Sequence, residues 1–482
     1  MSDKNYTRNL SMVMDFYEMT MSNGYFKTGA ENDTATFDVF YRKNPDGAGF
    51  AISAGLGQIV EYIKDLHFDD EDIEYFRKQG IFDEDFLAYL KKFRFTGDIY
   101  AMREGTIIYP NEPIISVTAN IIEAQLLETA ILLQFNHQSL IATKTNRIVC
   151  AAKGKAVSDF GARRAHNFDA AVYGARAAYI GGAVGTATVL AGQMFDIPIS
   201  GTMAHSWVMR FDNEYEAFRQ YALTYPTSTV LLVDTYDVLK IGVPNAIRIA
   251  REVLEPMGQR LKGIRIDSGD LAYLSKEARK LLDDAGLEDC IIVASNSLDE
   301  FTIESLNMQG AKIDSYGVGE RLITSSSSPV FSGVYKLAEI NGKPKMKVSE
   351  TPEKMTNPAR KQVYRVYDSE GKATADMLAL WDEEIDADKP VPFVDPQKYW
   401  KEMQFENCTF KKLLQPVFLK GECVYDNPSV KEIREYVRYQ LDNEIWVEEQ
   451  RFSNPHTHYL DMTRKMYDTK INLLNQTKDG KE

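Results

Sequence analysis

The chain has 482 residues, 44% apolar and 26% charged, which suits a globular protein of about three domains or one large barrel with additions. Lys plus Arg total 56 against 70 Asp plus Glu, a formal charge of −14, so the general surface repels polyanions and argues against a dedicated nucleic-acid binder. A small anionic ligand needs only a local nest of donors. The four cysteines, Cys150, Cys290, Cys408 and Cys423, have no Cys-x-x-Cys spacing, so a zinc knuckle is not indicated, and buried thiols of a reducing compartment are expected. No basic flank followed by an apolar run opens the chain, and a soluble, cytoplasmic protein is expected.

Residues 1–145 mix elements and are read as an N-terminal α/β sandwich-type domain. Phe37 to Tyr41 reads as a strand, Gly55 to Leu66 as a short helix, and Asp69 to Phe93 as helical by its apolar spacing. Thr106 to Val117, with two prolines, suggests edge strands, and Glu123 to Phe135 a buried helix.

From about residue 146 to 335 short apolar runs recur, each ending in a polar cluster and each followed by a helical stretch. The runs end at Ser158–Gly161, Gly201–His205, Val233–Asp237, Arg265–Asp270, Ala294–Ser297 and Tyr316–Gly319. Helical candidates are Val243–Met257, Leu271–Ala285 and Leu298–Met308, the last with a capping-box pattern from Ser297 to Glu300. The small, apolar stretch from Ala170 to Gly192 carries Arg176 and is broken by Gly181-Gly182. It reads as a buried Ala-rich helix and a turn, not a membrane span. The alternation is that of successive βα units, and six of them favour a closed or nearly closed α/β barrel.

Residues 336–482 form a third region, α+β in character, expected to pack on the N-terminal domain and the partner subunit. Asn341-Gly342 marks a hairpin between Tyr335–Ile340 and Lys345–Val348. A basic stretch follows, Lys354 to Arg365, and the tail Val430–Leu474 reads as two helices split by Ser453-Asn454-Pro455.

The residues with chemistry cluster at the carboxyl ends of the barrel strands, where barrel enzymes place their sites. They supply an imidazole (His205), guanidinium groups (Arg163, Arg265), carboxylates (Asp234, Asp267, Asp270), a hydroxyl and an amide (Ser295, Asn296), and a Gly-x-Gly turn (Gly317, Gly319). That set suits a ligand with phosphates, a sugar diol and a charged leaving group. Each member also has a plain structural reading. Asp270, just before Leu271, suits a helix N-cap, and a lone Gly-x-Gly is more often a simple turn.

The ordered stretches Met14–Thr20, Asp159–Arg164, Gly201–Ser206, Leu232–Asp237, Arg265–Asp270, Lys361–Arg365 and Asn454–His456 together resemble the nicotinate phosphoribosyltransferases, nearly end to end. The resemblance implies an irregular TIM-like α/β barrel beside an α/β sandwich. It implies transfer of phosphoribosyl from phosphoribosyl pyrophosphate to nicotinate, coupled to ATP through a transient phosphohistidine. Mg²⁺ would accompany the pyrophosphate, and homodimers would share their active sites.

By the same resemblance His205 would take the phosphoryl group, with Asp234 the candidate to fix its tautomer. Asp267 and Asp270 would hold the ribose diol or Mg²⁺, directly through substrate or through water. Arg265 and Arg163 would face the phosphates or the pyridine carboxylate, with Thr202 and Ser206 beside them. Ser295, Asn296, Gly317 and Gly319 would cradle the 5′-phosphate. Phe160 and Tyr17 would sandwich the pyridine, Tyr17 coming from the partner subunit, as would Lys354, Arg360 and Lys361 toward pyrophosphate or ATP. The related nicotinamide-using enzyme carries an aspartate where Ala187 stands, so Ala187 favours nicotinate. The alternative from another class is a metal-dependent barrel hydrolase with Asp267, Asp270 and His205 as ligands.

Overall fold

The computed structural model describes residues 9–350, 354–395, 400 and 402–478, and sorts the chain into two compact units instead of three consecutive regions. One comprises residues 1–140 with 330–482, the other residues 141–329. The boundary at residue 140 falls within the helix Glu128–Ala151.

In the first unit a seven-stranded sheet places Thr34–Tyr41 between Gly333–Ile340 and Ile115–Asn120, all antiparallel. Asn341-Gly342 turns the chain from Gly333–Ile340 into Lys343–Pro344, and both turn residues have positive φ, as a tight hairpin turn requires. Ile115–Asn120 is interior to this sheet, not an edge strand: its prolines, Pro110 and Pro113, precede the hydrogen-bonded stretch. The expected helix over Asp69–Phe93 is two, Asp70–Gln79 and Glu84–Lys91. Asp69 caps the first and Gly80, at φ 69°, ends it in a left-handed turn.

A second, six-stranded sheet in this unit contains Lys361–Tyr367 and Ala373–Leu380, with Tyr459–Met462 parallel to the latter. The tail therefore inserts a strand between its helices Val430–Tyr439 and Arg464–Lys478.

The second unit is an all-parallel six-stranded sheet with helical crossovers, the arrangement that buries strands on both faces. In chain order its strands are Ala156–Asp159, Gly185–Thr186, Val230–Leu232, Gly263–Ile266, Ile291–Ser295 and Ser315–Val318. In space they run second, first, sixth, fifth, fourth, third. The ends of the sheet are thus the second and third strands, and the barrel is open there, not closed. The run before Gly201 is expected to be a strand, but it is reduced to a single parallel bridge, Ile199 to Thr186. Pro198 lacks the N–H a ladder needs, and Asp196 sits at φ 54°.

The third strand leads into a helical run from Val238 to Met257. A Cβ on Gly242 would lie 2.0 Å from the Val233 carbonyl oxygen, so only glycine lets this helix sit so close to the strand end. Apolar side chains from these strands and helices, among them Leu231, Val233, Ile264, Ile266, Phe218 and Leu282, form one buried cluster. The stretch from Ala170 holds the helix Phe168–Ile180, in which Arg176 is buried. Glu300 does not close a capping box with Ser297. Asp299 is the cap, accepting from the Thr302 N–H, while Glu300 is buried against Lys144 at 2.7 Å and Arg147 at 3.3 Å. All four cysteines are free; Cys290 is buried, whereas Cys150 is exposed. Among the described residues no helix is long and apolar enough to cross a membrane.

Candidate active site

Five of the six barrel strands end where the polar clusters begin, so backbone topology alone brings their residues to one edge. After the first strand Asp159 is buried and organises the turn. Its Oδ1 accepts from the Gly161 N–H at 2.8 Å and its Oδ2 from the Thr186 hydroxyl at 2.7 Å. Burial pushes this carboxyl upward, opposed by those two hydrogen bonds. The Asp159 carbonyl also accepts from the Ala187 N–H at 2.8 Å, which pins the exposed Ala187 beside the first strand end.

Phe160 follows, and its ring packs on the sixth strand. A Cβ on Gly317 would meet the ring carbons of Phe160 at 2.4 Å. Gly317 is therefore a seat for an aromatic ring, a reason for glycine at this position beyond the Gly-x-Gly reading. Gly319 lies under the Phe160 carbonyl, where a Cβ would stand 3.1 Å from the oxygen. At the end of the fifth strand Asn296 and Ser297 hold successive positive φ values, 79° and 52°. Two adjacent left-handed residues other than glycine are a costly conformation, of the kind that concentrates at ligand sites.

Arg265, on the fourth strand, is largely buried and donates from Nη1 to the Thr202 hydroxyl at 2.5 Å. Its Nε is buried with no hydrogen-bond partner among the described residues. Burial depresses its pKa, Asp267 and Asp234 oppose the fall, and the charge of Arg163 adds to it. Two guanidinium groups close enough to repel one another make a place for an anion. Arg163 itself is exposed on the short turn Ala162–Arg164, and Ser206 is exposed one residue after His205.

His205 begins the short helix His205–Met209, its side chain 38% exposed. Its Nε2 lies 3.8 Å from Asp267 Oδ2 and 4.0 Å from Asp234 Oδ1, beyond hydrogen-bond reach. Its Nδ1 is 3.1 Å from the Thr235 hydroxyl. Asp234 does not take the role expected of it. Its Oδ2 accepts from the Asp267 N–H at 3.1 Å and the Ser268 hydroxyl at 2.5 Å, while its Oδ1 is buried without a partner among the described residues. Thr235 is missed by sequence reasoning, although its place between Asp234 and Tyr236 in the same motif was visible. The Ser295 hydroxyl donates to Asp267 Oδ1, which ties the fourth and fifth strand ends together. Asp270 caps the helix Leu271–Asp284, accepting from the Tyr273 N–H at 3.0 Å, so its plain structural role is the one observed.

The family model for the nicotinate phosphoribosyltransferase N-terminal domain matches residues 12–136, and that for the C-terminal domain matches residues 360–470. A nicotinate phosphoribosyltransferase of Bacillus subtilis (strain 168) is 42% identical over 476 residues, covering 97% of this chain and 96% of the relative. The chain belongs to the nicotinate phosphoribosyltransferase family. A member from Dictyostelium discoideum is 36% identical, covering 96% of this chain and 88% of that one. The crystal structure of human nicotinic acid phosphoribosyltransferase superposes with a TM-score of 0.85 at 27% identity, over 96% of this chain and 100% of that one.

Four residues for which the family resemblance suggests a place across a subunit boundary lie in the other unit of this nicotinate phosphoribosyltransferase-family chain. Tyr17 is 43% exposed on the helix Phe16–Lys27, with burial and then Glu128 raising its pKa. Lys354 is exposed. Arg360 is stacked 4.1 Å from the Trp381 ring. Lys361 does not fit the expectation: its side chain is 1% exposed and ion-paired with Asp38 in the sheet core. A β-strand alternates its side chains, and the register that pairs Lys361 with Leu380 turns this ammonium inward.

Proposed function

We propose that this protein transfers phosphoribosyl from phosphoribosyl pyrophosphate to nicotinate, forming nicotinate mononucleotide and pyrophosphate, in the biosynthesis of NAD. The observation that carries the reading is the barrel edge. There an imidazole, two guanidinium groups and the carboxylates of Asp234 and Asp267 converge beside a ring seated on Gly317. The reaction needs no protein base, because the pyridine nitrogen is itself the nucleophile. The protein must place two reactants and stabilise a departing anion. Phe160 offers a flat face to the pyridine. Arg265 and Arg163 face the anionic groups, and Asp267, braced by Ser295, accepts from the ribose hydroxyls. Ser206, Asn296 and Gly319 line the same edge for the phosphates.

Coupling to ATP belongs to this proposal, with His205 as the phosphoryl acceptor. Imidazole is nucleophilic at neutral pH and its phosphoramidate is labile. Mg²⁺ fits the donor set as a companion of the substrate phosphates: Asp234 Oδ1 is orphaned and Asp267 is half-exposed, hard oxygen donors at one edge. Bound there, it would neutralise charge on the phosphates. Among the described residues no group of three His, Cys, Asp or Glu side chains is disposed to hold a metal by itself, and Asp270 is engaged as a cap. The hydrolase alternative therefore lacks its ligand set. The homodimer, with Tyr17 and Lys354 completing the partner's site, is part of the same proposal.

The test is a product assay with nicotinate, nicotinamide and quinolinate in parallel, with and without ATP. Nicotinate mononucleotide from nicotinate, enhanced by ATP, is the expected result. Equal turnover of nicotinamide, or hydrolysis without a phosphoribosyl donor, overturns the reading.

A further inference from the structure

Thr235 is the group that meets His205 at Nδ1, and the loop that carries it is held on both sides. Asp234 anchors the preceding residue to the Asp267 N–H and the Ser268 hydroxyl. Asp237 caps the helical run that follows, accepting from the Leu239 and Lys240 N–H groups at 3.1 and 2.9 Å. A hydroxyl between two such anchors has little freedom to leave the ring it faces.

We propose that Thr235 is a positioning residue that sets the tautomer of His205, holding the ring proton on Nδ1 and leaving the lone pair on Nε2. This rests on the phosphoryl-acceptor reading of His205. A neutral imidazole carries one N–H. The Thr235 hydroxyl, which can accept from Nδ1–H or donate to a bare Nδ1, is assigned the accepting part because that arrangement leaves the Nε2 lone pair free. The carboxylates nearest Nε2 stand at 3.8 and 4.0 Å, so neither fixes the ring by a hydrogen bond. Asp234, the expected orienter, is engaged by Ser268 and the Asp267 backbone instead. With Nδ1–H donated to the Thr235 oxygen, the Nε2 lone pair forms the bond to the γ-phosphorus of ATP. The bond from that phosphorus to the β,γ-bridging oxygen breaks, its electron pair leaves with ADP, and the ring proton stays on Nδ1.

The experiment is long-range ¹H–¹⁵N correlation on full-length protein with ¹⁵N-labelled histidine, at a pH where His205 is neutral. It is run on the parent, Thr235→Val, Thr235→Ser and Asp234→Asn, with His205→Asn assigning the signal. The parent is expected to carry its proton on Nδ1. Thr235→Val should move the ring toward the other tautomer, Thr235→Ser should restore it, and Asp234→Asn should leave it unchanged. Incorporation of labelled γ-phosphate should slow by about 10-fold or more in Thr235→Val, with KM for nicotinate little changed, as a wrong tautomer does beside other catalytic histidines. A parent ring protonated on Nε2, or a tautomer that ignores Thr235→Val or follows Asp234→Asn, overturns the proposal. Label absent from the parent while the tautomer still follows Thr235 overturns the phosphohistidine reading and leaves the tautomer assignment standing.

Discussion

Two histidines of this chain stand in opposite circumstances. His205 lies at an open sheet edge, bonded at one nitrogen, with two carboxylates near the other that do not bond it. His458 is 1% exposed, 3.0 Å from Glu449 through Nδ1 and 3.6 Å from Asp376 through Nε2, and stacked on Tyr109 with ring centroids 3.7 Å apart. Burial pushes the pKa of His458 down, but Asp376 and Glu449 outweigh it and hold it above the usual range. Arg365, also buried, bonds Asp376 at both oxygens and donates to the Ile107 carbonyl. Both places gather carboxylates around an imidazole and a guanidinium group. In one the charges compensate each other inside the protein. In the other, the groups open to solvent, His205 at 38% and Asp267 at 30% exposed. Each place keeps polar atoms without a hydrogen-bond partner among the described residues: Asp234 Oδ1 and Arg265 Nε at the edge, His458 Nε2 and Glu112 Oε2 in the interior. Access from solvent, more than the presence of charge or of an unpaired atom, distinguishes the candidate site from a structural cluster.

Breaking the buried cluster should have the largest effect on stability. Arg365→Met leaves Asp376 buried without its main counter-charge, and a loss of about 3–5 kcal/mol is expected in urea denaturation. A loss below about 1 kcal/mol would show that the cluster is less interior to folding than its burial implies.

Glu18 tests the other kind of buried charge, one without a cation. It is fully buried, accepts from Asp15 and Thr129, and burial pushes its pKa up to about 7. The folded state then holds a proton that the unfolded chain releases near pH 4.5, so stability falls as pH rises through that window and levels off above 7. Glu18→Gln should remove the slope, gaining on the parent by up to about 3 kcal/mol at pH 8. Parallel stability curves for the two proteins between pH 5 and pH 8 would count against it.

Gly317→Ala carries the comparison to the site. The added methyl meets the Phe160 ring, so a stability cost of about 1–3 kcal/mol is expected from overpacking. KM for nicotinate should rise with it, and Phe160→Leu in the same chain should recover the stability but not the KM. Recovery of both would mean that the ring has no part in binding.

The smallest stability effect is expected at the open edge. Asp267→Asn should change the unfolding free energy by less than about 1 kcal/mol, since its carboxylate is 30% exposed and removes a like charge beside Asp234. Its kcat/KM should nevertheless fall by about 100-fold or more. A large stability loss with retained activity would reverse the contrast between the two regions.

The sequence by itself determined the class of the fold and the strand ends at which the candidate residues gather. Short apolar runs ending in polar clusters specify parallel strands with functional carboxyl ends, because buried strands and their loops follow local pattern. Arg265 and Asp267 were legible at strand ends for that reason, whereas Asp159, whose carboxylate organises the first strand's turn, was not singled out. Only the tertiary structure decided which neighbour each polar group takes. Lys361 lies in a basic stretch, yet strand register turns it onto Asp38. Gly317 reads as half of a Gly-x-Gly turn, and only the fold shows that Phe160, from another strand, packs where its side chain would stand. Thr235 carries no signal of its own beside Asp234, and its bond to His205 joins residues 30 positions apart. Hydrogen bonds are short-ranged and directional, so their partners depend on distances of a few tenths of an ångström between strands, which one-dimensional pattern does not encode.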